Sequence, residues 1–262
     1  MKKWLCTIMI LCMIFSMAIN SFASDKMTTA YKGTPVIDGD IDSIWEYAER
    51  IEATNFKTGI AGSAGPCKLF ARTLWDDGHL YMLFEVTDPV VTVVSATAWN
   101  QDSIEFYVDE DNSKSGANDG INDAQVRINA ENFSDWAADR VISAVKKSDT
   151  GYIVEVEYIF IDVMPKATGV IGFDIQVNDD ADNSGERAAC LGWSDDADKA
   201  SSDTNVWGNL TFSPDAPPAP APEIIDEAAD NPPTADADNM LYILSIISGF
   251  GFVLILKRKF SV

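Results

Sequence analysis

The sequence predicts an all-β fold, an antiparallel β-sandwich of immunoglobulin-like or jelly-roll type, over about residues 28 to 213 of 262. Three observations predict it. Several segments alternate apolar and polar residues with a period of two, as strands with one buried face do. These segments are short and lie between turn-rich gaps, the layout of a sandwich. Within that span one stretch alone, just after Asp42, reads as helical.

The elements follow in order. Asp42 is placed to cap a short helical turn carrying Ile44, Trp45 and Tyr47, with Trp45 as a core plug. Leu69, Ala71 and Thr73 then alternate with Phe70, Arg72 and Leu74. After Trp99, the residues Ile104, Phe106 and Val108 alternate with Glu105 and Tyr107, and the strand empties into the acidic run Asp109 to Asn112. A turn at Thr150 and Gly151 opens a strand with Ile153, Val154, Val156 and Tyr158. Phe173, Ile175 and Val177 alternate with Asp174, Gln176 and Asn178. Pro214 to Asp230 is a proline-rich linker, which favours extended polyproline II and denies backbone donors to any sheet. At about 3.1 Å per residue, the stretch from Pro214 to Thr234 spans roughly 65 Å when extended.

The two ends read as targeting segments. Met1 to Ala23 has a basic start, an apolar run and a small residue at its close, the pattern of a secretory signal peptide. Cys6 and Cys12 leave with it. Cys67 and Cys190 remain, and export permits a bridge between them, which their sequence positions do not establish. At the other end, Asn231 to Asp236 precede the apolar run Met240 to Leu256 and the basic Lys257, Arg258 and Lys259. That run is near the lower limit for a transmembrane helix, and the basic tail fits the cytoplasmic side. The triple pattern resembles a sortase sorting signal of Gram-positive bacteria. The resemblance implies cleavage after Thr234 by a sortase-like transpeptidase and attachment to the cell wall, although Ala235 stands where Gly is commoner. A plain single-pass anchor would place the domain outside in the same way.

Charge narrows the partners. Setting aside the five basic and two acidic residues outside Ser24 to Thr234 leaves 14 basic and 39 acidic groups, a net of −25. Such a surface repels nucleic acid and anionic lipid and attracts divalent cations.

The segment Trp99 to Gly116 carries the chemistry. A pyranose ring has one apolar C–H face and an edge of hydroxyls, so its site needs an aromatic plate and planar hydrogen-bonding groups. Trp99 offers the plate, flanked by the small Ala98 and the polar Asn100. Glu105 offers an acceptor, and Arg127 and Asn129, two apart on one strand face, offer donors. A bare salt bridge between Glu105 and Arg127 on the surface is the plainer alternative. Asp109, Asp111 and Asp123 bracket an acidic loop rich in the oxygen ligands that calcium takes. With a single histidine, His79, placed in an exposed turn, there is no zinc cluster and no Ser-His-Asp or Cys-His set. Glu155 and Glu157 read as ordinary surface acids on one strand face.

The ordered blocks Thr34 to Ile51, Lys68 to Val91, Trp99 to Gly116, Asp123 to Asn129, Gly151 to Tyr158, Val170 to Asp182, Gly192 to Asp195 and Trp207 to Phe212 resemble carbohydrate-binding module family 9, often appended to xylanases. The resemblance covers roughly Ala30 to Phe212. It implies a non-catalytic sugar-binding sandwich at the cell surface, with plant-type polysaccharide chains or their ends as ligands. It implies roles for Trp99, Arg127 and Asn129 in sugar contact, and structural calcium near Asp88 and Asp102. One departure stands out: Ser201 falls where sugar-binding members carry a second clamping Trp. A structural or adhesive surface domain without a working sugar site is therefore the rival reading.

Overall fold

A computed structural model describes residues 24–59 and 67–219. The signal-peptide segment, Thr234 with its sorting motif, the apolar run Met240 to Leu256 and the linker beyond residue 219 lie outside the described residues. Among the described residues no helix is long and apolar enough to cross a membrane.

The described chain is all-β, with helical geometry confined to single 3-10 turns. In one layer, β6 (Ser103–Asp109) lies between β7 (Asp123–Asn129) and β11 (Val170–Asp179), and the two-residue β8 (Ser134–Asp135) extends it beyond β7. The first half of β11 pairs with β13 (Gly208–Phe212) and its second half with β12 (Ala189–Gly192), which in turn pairs with β3 (Asn55–Gly59). In the other layer β4 (Lys68–Trp75), β5 (His79–Thr87), β10 (Gly151–Ile159) and β9 (Val141–Ser148) follow one another, with β2 (Arg50–Glu52) beside β4.

The expectation of a purely antiparallel sandwich needs one correction. Strand β1 (Met27–Lys32) runs parallel to both its neighbours: Met27 to Ala30 pair with β13, and Tyr31 and Lys32 pair with β4. One strand therefore belongs to both layers. Neither pairing joins elements adjacent in sequence, so the hairpin logic that predicts antiparallel neighbours does not apply.

The alternation read from the sequence fixes the core. Ile104, Phe106, Val108, Val126, Ile128, Phe173, Ile175 and Val177 face Leu69, Ala71, Met82, Phe84, Val154 and Val156, all buried. Phe106 is the centre of an aromatic cluster, 6.1 Å from Phe84 in a stacked pair and 6.1 Å edge-on from Tyr158.

The outer face of the second layer departs from the expected polar surface. Leu74, Tyr81, Leu83 and Ala48 bury themselves around Trp45, which is fully enclosed as a core plug. The segment after Asp42 is only a 3-10 turn, Ser43–Trp45, and Asp42 does not cap it, because its carboxylate accepts the Val36 N–H at 2.7 Å. Glu155 is not a surface acid. It is buried and accepts from Trp45 Nε1 at 3.1 Å and from the Gly39 N–H at 2.8 Å. His79 is only partly exposed, with Nδ1 2.8 Å from Asp76 and Nε2 3.4 Å from Glu157. Cys67 and Cys190 are buried and unbridged.

Candidate functional site

The face of β6, β7 and β11 turned away from the core is polar throughout. Directly opposite residues in an antiparallel pair point to the same side. The register therefore sets Gln176, Glu105, Arg127 and Asp135 in one row across four strands. Asp174, Tyr107 and Gln125 form the row beyond, and Asn178, Ser103 and Asn129 the row before. A pocket of about 240 Å³ sits over the middle row, with Glu105, Tyr107, Gln125, Arg127 and Gln176 at its base and Trp99, Trp136, Arg187, Asp198 and Ser201 around it. The predicted residues Trp99, Glu105 and Arg127 thus meet in one cavity.

Glu105 organises the base. The residue is 1% exposed, and its carboxylate accepts from Tyr107 Oη, Gln125 Nε2 and Asn178 Nδ2, each at 2.8 Å, and from Arg127 Nε at 2.7 Å. Four donors fill the four acceptor positions of a carboxylate. Burial alone would raise its pKa, but the Arg127 guanidinium and the amides of Asn178 and Gln125 outweigh that and hold the carboxyl below the ordinary range. The Glu105–Arg127 pair is therefore a buried ion pair and not the surface bridge that the plainer reading expects. Arg127 also donates to Asp135 at 2.8 Å.

Asn129 shares the face but does not line the pocket. Its amide nitrogen donates to Gln101 Oε1 at 2.8 Å, and its oxygen accepts the N–H groups of Glu131 and Phe133 at 3.0 Å each, closing the turn after β7. The two-residue spacing correctly puts it beside Arg127 in direction; the turn that follows takes up its hydrogen bonds.

Two indoles stand exposed at the pocket. Trp99, in a 3-10 turn before β6, is 51% exposed, and its loop is tied down by Asn100 Nδ2 donating to Glu186 at 3.1 Å. Trp136 is 49% exposed, with the Arg127 guanidinium 5.2 Å from its ring centre. Sequence reasoning missed Trp136, because it follows a two-residue strand with no periodicity to read. Trp193 and Trp207 are buried. Trp193 packs on Phe173, and Trp207 packs 5.4 Å from Tyr107 while donating Nε1 to the Ala200 carbonyl at 2.8 Å. A second hollow, of about 290 Å³, lies by Trp45, Arg72 and Glu85 on the other layer, and the only indole lining it is buried.

Three carboxylates form a candidate metal centre beside the Trp99 loop. Asp88 follows β5, Asp102 precedes β6, and Asp179 ends β11. All three are buried, and an oxygen from each lies within 4.8 Å of the others. Asp102 accepts the Asp180 N–H at 2.7 Å and also that of Thr92, and Asp88 accepts the Val90 N–H at 2.9 Å. Both Asp179 oxygens are buried without a hydrogen-bond donor. Burial, with the neighbouring acids, pushes Asp102 and Asp179 up to about 7. Orphaned buried carboxylate oxygens in an all-oxygen cluster fit a hard divalent cation. The family resemblance points to Asp88 and Asp102 but not to Asp179. Asp179 sits in an acidic run, where only the closed sheet picks it out from Asp180 and Asp182.

Asp109, Asp111 and Asp123 lie near one another at the other end of β6, and one Asp123 oxygen is buried without a donor. Asp109 and Asp123 are cross-strand partners, yet Asp109 accepts the Ser113 and Lys114 N–H groups, Asp111 that of Ser113, and Asp123 that of Asp119. Among the described residues, only Asp88, Asp102 and Asp179 form a cluster of three acids close enough to share an ion. The loop acids also accept from the backbone N–H groups of their own turns.

Comparison with known proteins gives a consistent set of relatives. The profile of the carbohydrate family 9 binding domain-like family matches residues 37–214. An endo-1,4-beta-xylanase A of Thermotoga neapolitana is 39% identical over 188 residues, which are 70% of this chain and 17% of that protein. The chain thus spans about a sixth of the length of such relatives. A carbohydrate binding module family 9 from Caldicellulosiruptor kristjanssonii, solved in complex with glucose, superposes with a TM-score of 0.66 at 29% identity, covering 72% of this chain and 96% of that one. The same module in complex with cellotriose gives 0.67 at 29% identity, over 75% and 98%.

Proposed function

We propose, from the premise that this chain belongs to the carbohydrate family 9 binding domain-like family, that it binds carbohydrate without catalysis through the pocket under Trp99. The observation that carries the reading is the exposed Trp99 over a base of Glu105, Arg127, Gln125 and Gln176. An indole face suits the apolar face of a pyranose, and fixed polar groups suit its hydroxyls. Because the Glu105 oxygens are filled by protein donors, Glu105 chiefly aims Arg127 and Gln125 upward, and a sugar hydroxyl reaching it shares an oxygen with them. The ligand class is neutral glucan or xylan, at chains or their ends, given the solved relative in complex with glucose and cellotriose. The acidic balance of the chain disfavours polyanionic glycans. The part of the xylanase relatives that this chain matches is a small one, so their hydrolysis is not assigned to it.

Calcium is the cation we assign to Asp88, Asp102 and Asp179. Bound there, it would neutralise three converging carboxylates and join the loop carrying Trp99 to the end of β11. Export through the signal segment and attachment through Thr234, with the apolar run as a transient membrane anchor, place the domain at the surface of a Gram-positive cell, its partners being a sortase-like enzyme and the wall.

Titration of the full-length chain with glucose, cellotriose and xylan oligomers tests the reading, with Trp99→Ala as comparison. Binding by the wild type that Trp99→Ala loses supports it. Binding of no glycan at millimolar concentration gives way to the rival, a structural or adhesive surface domain.

A further inference from the structure

Trp136 occupies a position that ordinary strand geometry would not give it. Asp135 pairs with Arg127 and shares its polar face, so the next residue of a regular strand would turn to the apolar side. Instead, Trp136 and Ala137 both have left-handed backbones, with φ of 55° and 37°. This conformation is uncommon for residues with a Cβ and costs energy to hold. Its result is an exchange of faces. Ala137 packs against the core, while the large indole lines the pocket beside Arg127, half-exposed. Packing alone would favour the opposite arrangement, since burying an indole releases far more apolar area than burying a methyl group.

The surroundings fit a binding role. The Arg127 guanidinium stands 5.2 Å from the ring and is itself fixed by Glu105 and Asp135. The segments flanking β12 supply Arg187, Asp198 and Ser201 to the lining and no aromatic group, so Trp99 and Trp136 are the only indoles among the residues lining the pocket.

We propose that Trp136 is the second sugar-stacking surface of this pocket and a determinant of its affinity, supplied from the β8 edge of the sheet. This rests on the carbohydrate-binding reading above. The ligand is a neutral pyranose that lays one C–H face on Trp99 and a further apolar face on Trp136.

The test compares wild type, Trp99→Ala, Trp136→Gly and Trp136→Phe, each as the full-length chain, by calorimetric titration with glucose and cellotriose. Glycine at 136 removes the ring and relieves the left-handed backbone, so the fold is kept and the melting temperature should not fall. Loss of a stacking surface should weaken binding about ten- to a hundredfold in Trp136→Gly, with Trp136→Phe restoring most of it. If Trp99→Ala abolishes binding while Trp136→Gly binds like wild type, the inference is wrong and the carbohydrate reading stands. If the wild type binds neither sugar, the carbohydrate reading itself is overturned.

Discussion

Glu105 and Arg127 stand directly opposite each other on neighbouring strands, 2.7 Å apart, with their side chains 2% and 5% exposed. The pair is buried, yet it forms the base of an open pocket. Arg127 is shared with Asp135, and Tyr107, Gln125 and Asn178 complete the donors to Glu105.

Removing one partner should therefore harm the fold as well as the site. Arg127→Met leaves the Glu105 carboxylate buried with only neutral donors. Broken buried pairs cost on the order of 3 kcal/mol or more. Chemical denaturation should show a loss of that size, and sugar titration should show no binding. A variant as stable as wild type would mean that Gln125, Asn178 and Tyr107 suffice to hold the carboxylate.

The depressed Glu105 pKa sets a pH dependence. A carboxyl whose folded value lies below its unfolded value contributes stability above the unfolded pKa, and that contribution is lost as pH falls through the folded value. Sugar affinity should accordingly stay level from neutral pH down to about pH 5, above the ordinary carboxylate range. It should fall only in stronger acid. A midpoint near neutrality in the titration would point to a different essential group.

Calcium should raise the melting temperature. Binding to the folded state alone adds about 2.7 kcal/mol when the free ion is a hundred times its dissociation constant. Scanning calorimetry in millimolar calcium against chelator should show the rise in wild type and lose most of it in Asp179→Asn, while Asp111→Asn should respond like wild type. An unchanged response in Asp179→Asn would remove the assigned centre.

The C-terminal pattern predicts a mature chain ending at Thr234. Wall-digesting enzyme should release the protein, and Thr234→Ala should stay in the membrane fraction with Lys257 to Lys259 intact. Extraction of the wild type by detergent with those residues attached would favour the plain single-pass anchor.

Much of this molecule was legible in its sequence, and the exceptions have physical causes. Alternation in Ile104 to Val108 and in Phe173 to Val177 revealed both faces of the sheet that carries the pocket, because a half-buried strand must obey a period of two. Direction alone did not assign Asn129, whose amide closes a turn. Nor did it find Trp136, whose backbone breaks the period, or Asp179, which meets Asp88 and Asp102 only where three strand ends converge. The acidic loop after β6 is legible as a row of acids, but its local turns are not, because short Asp and Asn side chains also fold back on nearby N–H groups.

The parallel strand β1 has a mechanical meaning. The chain leaves the domain through β13, which is clamped between β1 on one side and β11 on the other. Beyond it, the Ser213 carbonyl accepts from Trp75 and the Asp215 carbonyl from Lys32. A pull along β13 from the C-terminal side loads both ladders in shear, so many hydrogen bonds must yield together instead of peeling one by one. Were the domain tethered by its tail as proposed above, any load would enter at the strand that is hardest to peel away.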